Sequence, residues 1–81
     1  MRDRETLLKR ARLGNRNVQF ELACNYYHYA PKDRRRAVYW YRKSASQGHA
    51  EAQYYLADCL AYGIGVRKSK REAVRWLMQA A

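Results

Sequence analysis

The sequence predicts an all-α fold of stacked helical hairpins, and three observations predict it. The first is internal repetition. At an offset of 34, Lys9 pairs with Lys43, Ala11 with Ala45, Gly14 with Gly48, Gln19 with Gln53, Leu22 with Leu56 and Ala23 with Ala57. At an offset of 36, Arg35 pairs with Arg71, Ala37 with Ala73, Val38 with Val74, Trp40 with Trp76 and Ala45 with Ala81, so a unit has about 35 residues and the second copy has a longer internal loop. The second observation is helical spacing of apolar residues within a unit: Ala52, Leu56, Ala57 and Leu60 form one stripe, and Ala73, Trp76, Leu77, Ala80 and Ala81 another. The third is that start and stop signals fall between the stripes.

Taken in order, the first helix is expected over 3–13, with Gly14 placed where a helix ends in a left-handed residue. The second spans 16–29 and carries Leu22 and Ala23; Pro31 separates it from the third. The third spans 33–47, with Asp33 as its cap, Ala37 and Trp40 on its stripe and Gly48 at its end. The fourth spans 50–61, and His49, directly after Gly48, reads as a start-of-helix residue rather than a ligand. Gly63 and Gly65 allow backbone conformations that a side chain would block, letting Val66 fold back onto the helices. The fifth helix spans 69–81 and opens on a capping-box pattern, Ser69-Lys70-Arg71-Glu72. The chain thus divides into a single second helix (1–14), a first unit (15–48) and a second unit (49–81). Small residues such as Ala23, Ala37, Ala57 and Ala73 let helices approach closely, while Trp40 and Trp76 fill equivalent slots between layers, each burying on the order of 200 Å².

With 81 residues the chain has room for one small core, which excludes a two-domain enzyme. No apolar run of about 18 residues is present to cross a bilayer, and the segment after Met1-Arg2-Asp3-Arg4-Glu5 is too polar for a secretory signal, so a soluble, cytoplasmic protein is expected. Two cysteines are too few for a disulfide framework and lack the spacing of a zinc site. Cys24 and Cys59 sit one register step apart on successive first helices, so buried or half-buried free thiols are expected. No catalytic set, metal site or cofactor site is expected: His28, His49, the two cysteines and seven scattered carboxylates do not converge, and Gly63-x-Gly65 lacks the Lys-Ser or Lys-Thr and the preceding strand of a phosphate loop.

The run Ala52-Gln53-x-x-Leu56, Gly63-x-Gly65-Val66, Ala73-x-x-Trp76 and Ala80-Ala81 closely resembles the Sel-1-like repeat, a relative of the tetratricopeptide repeat with a G-x-G-V loop. The second unit departs from that pattern at Ala57, Leu60, Ser69 and Glu72. The first unit keeps Leu22, Tyr26, Asp33, Arg36, Ala37, Trp40, Tyr41, Lys43, Ala45 and Gly48 but has Tyr29-Ala30-Pro31 in place of the loop. The resemblance covers nearly the whole chain. It implies a right-handed superhelix, first helices on the concave side, second helices on the convex side, and a non-enzymatic protein-interaction scaffold. Some secreted members of that family staple each hairpin with paired cysteines; one cysteine per unit departs from this and points to a reducing compartment.

Charge separates along the same lines. Residues 1–16, 32–47 and 67–81 carry net charges of +4, +5 and +4, whereas 17–31 and 48–66 carry −1 and −2 and hold no Lys or Arg, giving the net +10. On the concave side, the faces opposite Leu22 and Leu56 present Asn17, Glu21, Cys24 and His28, and Glu51, Tyr55, Asp58 and Tyr62. Of these, Glu21, His28, Tyr55, Asp58 and Tyr62 are the candidate partner contacts, since tyrosine offers area at low rotamer entropy plus a hydroxyl; packing of Tyr55 and Tyr62 on neighbouring helices is the competing reading. On the convex side, Arg34, Arg35, Arg42, Lys43, Lys70, Arg71 and Arg75 are candidate anion contacts. Cations in a first helical turn oppose the macrodipole, so this face is read in three ways: solubility alone, a site for an acidic protein, or an adaptor surface for nucleic acid or another anionic surface. The principal reading is a concave groove holding a protein partner, with the basic adaptor as the alternative. An apolar helix edge at the end of the chain adds the expectation of self-association or of a longer array.

Overall fold

The computed structural model describes residues 3–80. It contains five α-helices: α1 (Arg4–Ala11), α2 (Arg16–Tyr29), α3 (Arg34–Ser46), α4 (Ala50–Tyr62) and α5 (Lys70–Ala80), with a 3-10 turn, Pro31–Asp33, between α2 and α3. Among the described residues there is no strand. Each helix packs on the next in chain order, so α2–α3 and α4–α5 form the two hairpins and α1 precedes them. Ala81, at the expected end of the fifth helix, lies outside the described residues, as do Met1 and Arg2.

Side-chain caps start four of the five helices. Asp3 accepts from the Thr6 N–H at 2.8 Å, Asn15 from the Asn17 and Val18 N–H groups, His49 Nδ1 from the Ala52 N–H at 3.1 Å, and Ser69 Oγ from the Glu72 N–H at 3.2 Å. Asp33 does not cap α3. The chain enters α3 through the 3-10 turn, so the Asp33 backbone is bent (φ −124°, ψ 40°) rather than extended, and its carboxylate pairs with Arg36 at 3.1 Å. The capping box of α5 forms only by half, because the Glu72 carboxylate is turned across to α3. The first helix stops at Ala11, and a turn carries the chain to Gly14, whose φ is +97°.

The core follows the repeat. Ala11 and Ala45, Ala23 and Ala57, and Ala37 and Ala73 are buried pairs of equivalent positions. The buried glutamines repeat as well: Gln19 Nε2 donates to the Ala11 carbonyl and Gln53 Nε2 to the Ala45 carbonyl, each at 3.1 Å. Each amide therefore adds a further donor to a carbonyl that also accepts from the Gly14 or Gly48 N–H at the end of the preceding second helix, and joins one layer to the next. Gln47 Nε2 donates in turn to Gln19 Oε1 at 2.7 Å, and Ser44 Oγ to the Arg16 carbonyl at 2.8 Å.

The tryptophans are not covered alike. Trp40 is buried, whereas Trp76 is half-buried, with its indole N–H donating to Glu72 Oε2 at 3.3 Å. That carboxylate also receives Arg42, which keeps one edge of the Trp76 ring in a polar seam between α3 and α5. In the second loop Gly63 ends α4 at φ +70°, and Ile64 and Val66 fold back half-buried onto the core. Gly65 lies so close to the start of α3 that an added Cβ would collide with the Arg34 carbonyl. The loop is thus an inter-unit contact that only glycine permits.

Candidate partner-binding faces

The first-helix face is built around rings from three helices. Phe20 of α2 stacks on His49 at 4.6 Å between centroids and lies 5.8 Å from Tyr55 of α4. Tyr55 in turn stacks on Tyr41 of α3 at 5.7 Å and 18°. Tyr41 belongs to a second helix, yet it reaches between the first helices, fully buried, and its hydroxyl donates to Cys24 Sγ at 3.5 Å. Burial pushes that phenol far above its ordinary range, with the Cys24 contact adding to it, so it remains a neutral packing group. Tyr27 extends the cluster beside Tyr41 and carries the Arg34 guanidinium over its ring at 4.4 Å. The result is a half-open aromatic ledge in which Tyr54 and Tyr55 are exposed and Phe20 is half-buried behind them.

The sequence-predicted contacts distribute unevenly over this face. Tyr55, 42% exposed, sits in the ledge. His28 is exposed and edge-on to Tyr27 at 5.4 Å; Glu21 is half-buried and Asp58 exposed. Tyr62 is exposed near the C-terminal end of α4 and joins no ring contact among the described residues, so it stands apart from the ledge. Sequence reasoning missed Phe20, Tyr27, Tyr41 and Tyr54. The spacing of Phe20, Cys24 and Tyr27, at i, i+4 and i+7, is the signal that could have found two of them. Tyr41 has no linear signal, because helical periodicity places it in the other layer.

The thiols supply no chemistry here. Cys24 is half-buried and Cys59 buried, and both are free. Burial raises Cys24 and pushes Cys59 up to about 11, so both are held as thiols, poor as nucleophiles and as metal ligands. Among the described residues no group of three His, Cys, Asp or Glu side chains could hold a metal. No helix of the described residues is long and apolar enough to cross a membrane.

The basic residues of the second helices do not form one surface. Arg34 turns inward: besides covering Tyr27, its Nε donates to the Tyr27 carbonyl at 3.4 Å. Arg42 is half-buried, with Nη1 2.5 Å from Glu72 Oε2, and this pairing holds Glu72 below the usual carboxylate range. Both are therefore engaged within the fold rather than offered to an anion. Arg35, Lys43, Lys70, Arg71 and Arg75 are exposed. Arg71 and Arg75 lie on α5 beside Glu72 and Trp76, whereas Lys43 belongs to a separate group with Arg36 and Arg12. Arg12 and Arg36 were not among the sequence-derived anion contacts, because a linear charge count does not say which cations share a hollow.

Comparison with known proteins agrees with this architecture. The family model described as Sel1 repeat matches residues 17–49 and 50–81. The structure is similar to the crystal structure of a Sel1 repeat protein from Oxalobacter formigenes, with a TM-score of 0.90, 36% identity and coverage of 96% of this chain and 33% of that one. It is also similar to a protective antigen present in uropathogenic Escherichia coli strains and displaying an SLR fold, with a TM-score of 0.90, 32% identity and coverage of 96% and 17%. The chain thus spans a third or less of the length of these relatives. None of the curated proteins matches it.

Proposed function

The chain belongs to the Sel1 repeat family, and from that premise we propose that it is a non-enzymatic scaffold whose first-helix face holds a segment of a protein partner. Sel1 repeats are generally protein-interaction scaffolds without catalysis. The observation that carries the reading for this chain is the aromatic ledge: Tyr55 is pinned between Phe20 and the buried Tyr41, yet leaves 42% of its surface open. A ring already fixed by stacking loses little freedom when a partner covers it, which is what makes an aromatic side chain an effective anchor. Glu51 and Asp58 are exposed on α4, the helix that carries Tyr54 and Tyr55, and 48–66 holds no Lys or Arg, so the α4 side of the ledge, away from Arg34 over Tyr27, favours a neutral or basic segment over an acidic one.

The test is capture of partners from native lysate by the wild-type chain and by Tyr54→Ala/Tyr55→Ala. A partner retained by the wild type, with shallow salt dependence, and weakened about a hundredfold by the double substitution supports the reading. Capture that survives the substitution unchanged, or that falls steeply with salt, contradicts it.

A further inference from the structure

The second-helix layer contains a furrow between α1 and α3, floored by α2. Two adjoining hollows, of about 520 and 560 Å³, share Gly14, Gln19, Tyr39 and Lys43 in their linings. Half-buried Leu8 lines the first hollow over the buried Ala11, Tyr26 and Trp40. Arg12, Arg36 and Lys43 stand around it, Arg42 lines the second hollow, and no carboxylate lines either. Among the described residues Arg12 and Lys43 have no carboxylate partner, and the exposed Arg36 has only the half-buried Asp33 at 3.1 Å, a pairing of little strength that a better acceptor displaces. Two unpaired cations and a third held by one weak ion pair thus converge on a hollow with no carboxylate in its lining, a local field that favours an anionic ligand.

We propose that this furrow binds an acidic peptide segment of a partner protein, seating an apolar side chain on Leu8 between carboxylates held by Arg12, Arg36 and Lys43. The guanidinium forks of Arg12 and Arg36 match carboxylates in bidentate geometry, and Leu8 offers apolar contact among them. Two observations favour a peptide over single-stranded nucleic acid. Tyr39, the exposed ring of the lining, already carries the Lys43 ammonium 5.4 Å above it and Trp40 perpendicular at 5.1 Å, which leaves a poor platform for stacking a base. Gln19, the amide of the floor, is committed on both ends, to the Ala11 carbonyl and to Gln47, so no amide edge remains there to read a base. The site lies on the layer opposite the aromatic ledge and is independent of it.

The experiment uses a labelled short peptide with leucine between glutamates, its lysine counterpart, and a single-stranded oligonucleotide of equal charge. Wild type is compared with Arg12→Glu/Lys43→Glu and with Lys70→Glu/Arg71→Glu, which removes the same charge from α5; circular dichroism verifies folding, and glutamine versions replace either variant that does not fold. The expected result is acidic-peptide binding that falls about tenfold or more in the furrow variant and less than about twofold in the α5 variant. Trp76→Phe, which leaves Trp40 as the single indole, is expected to report the peptide by a change in emission. Equal losses in both variants, tighter binding of the oligonucleotide, or peptide binding that leaves Trp40 emission unmoved would each overturn the proposal.

Discussion

Arg42 Nη1 lies 2.5 Å from Glu72 Oε2, and this pair, 30 residues apart in sequence, ties α3 of the first unit to α5 of the second. The same carboxylate receives the Trp76 indole N–H, so one oxygen sets both the inter-unit contact and the ring orientation. The Arg42 hydrogen bond lowers the Glu72 pKa from 4.5, so the pairing stabilises the fold above that ordinary value and the contribution is lost as pH falls through the lower folded value. Glu72→Gln is expected to remove at most about 1 kcal/mol at neutral pH, given the exposure of both partners, and to flatten the acid limb of stability. Urea midpoints of both proteins, measured from neutral pH down to about 3, check this; parallel pH profiles for the two proteins would refute it.

Gln53→Leu keeps the side chain's bulk but removes a donor to the Ala45 carbonyl, which keeps the Gly48 N–H at 2.9 Å. Because that acceptor stays satisfied, the expected cost is the net worth of one hydrogen bond, about 0.5–1.5 kcal/mol, read from equilibrium unfolding. Gln19→Leu is expected to behave in the same way with respect to Ala11, and to release Gln47 in addition.

Glycine substitutions separate two effects. Gly14→Ala meets nothing within 4 Å and bears only the cost of a left-handed backbone, about 1 kcal/mol. Gly65→Ala adds a collision with the Arg34 carbonyl, and its loss of stability is expected to exceed that of Gly14→Ala by about 1–3 kcal/mol. Thermal unfolding of the two variants side by side measures the difference.

Equivalent positions on α3 and α5 differ sharply in cover. Val38 and Tyr41 are 4% and 1% exposed, whereas Val74 and Leu77, which occupy the same places one unit later, are 53% and 43% exposed, with Met78 open beside them. This ridge is expected to drive weak association as concentration rises. Sedimentation velocity over a concentration series should show that association, and Val74→Glu/Leu77→Glu should abolish it; a wild type that stays monomeric throughout refutes the expectation.

Much of the architecture is legible in a linear reading because helical packing repeats locally. The alanine pairs, the two glutamines and the glycines after α1 and α3 recur at fixed spacing, and each does the same job in both copies. The separation of charge between layers is readable for the same reason, since every second helix carries an excess of cations. Asp33 marks a limit of that reading: its place before a helix resembles a cap, but the 3-10 turn bends the backbone and turns the carboxylate to Arg36.

Periodicity along one helix sets which residues face inward, and so the hairpins, their order and their shared core could be inferred without coordinates. Contacts between residues far apart in sequence obey no such rule. Tyr41 crossing from α3 to back Tyr55, Arg34 folding over Tyr27, and Arg12 meeting Arg36 and Lys43 around one hollow all depend on how helices from different units are set against each other. That setting follows from the packing of many small side chains at once, and only the assembled fold expresses it.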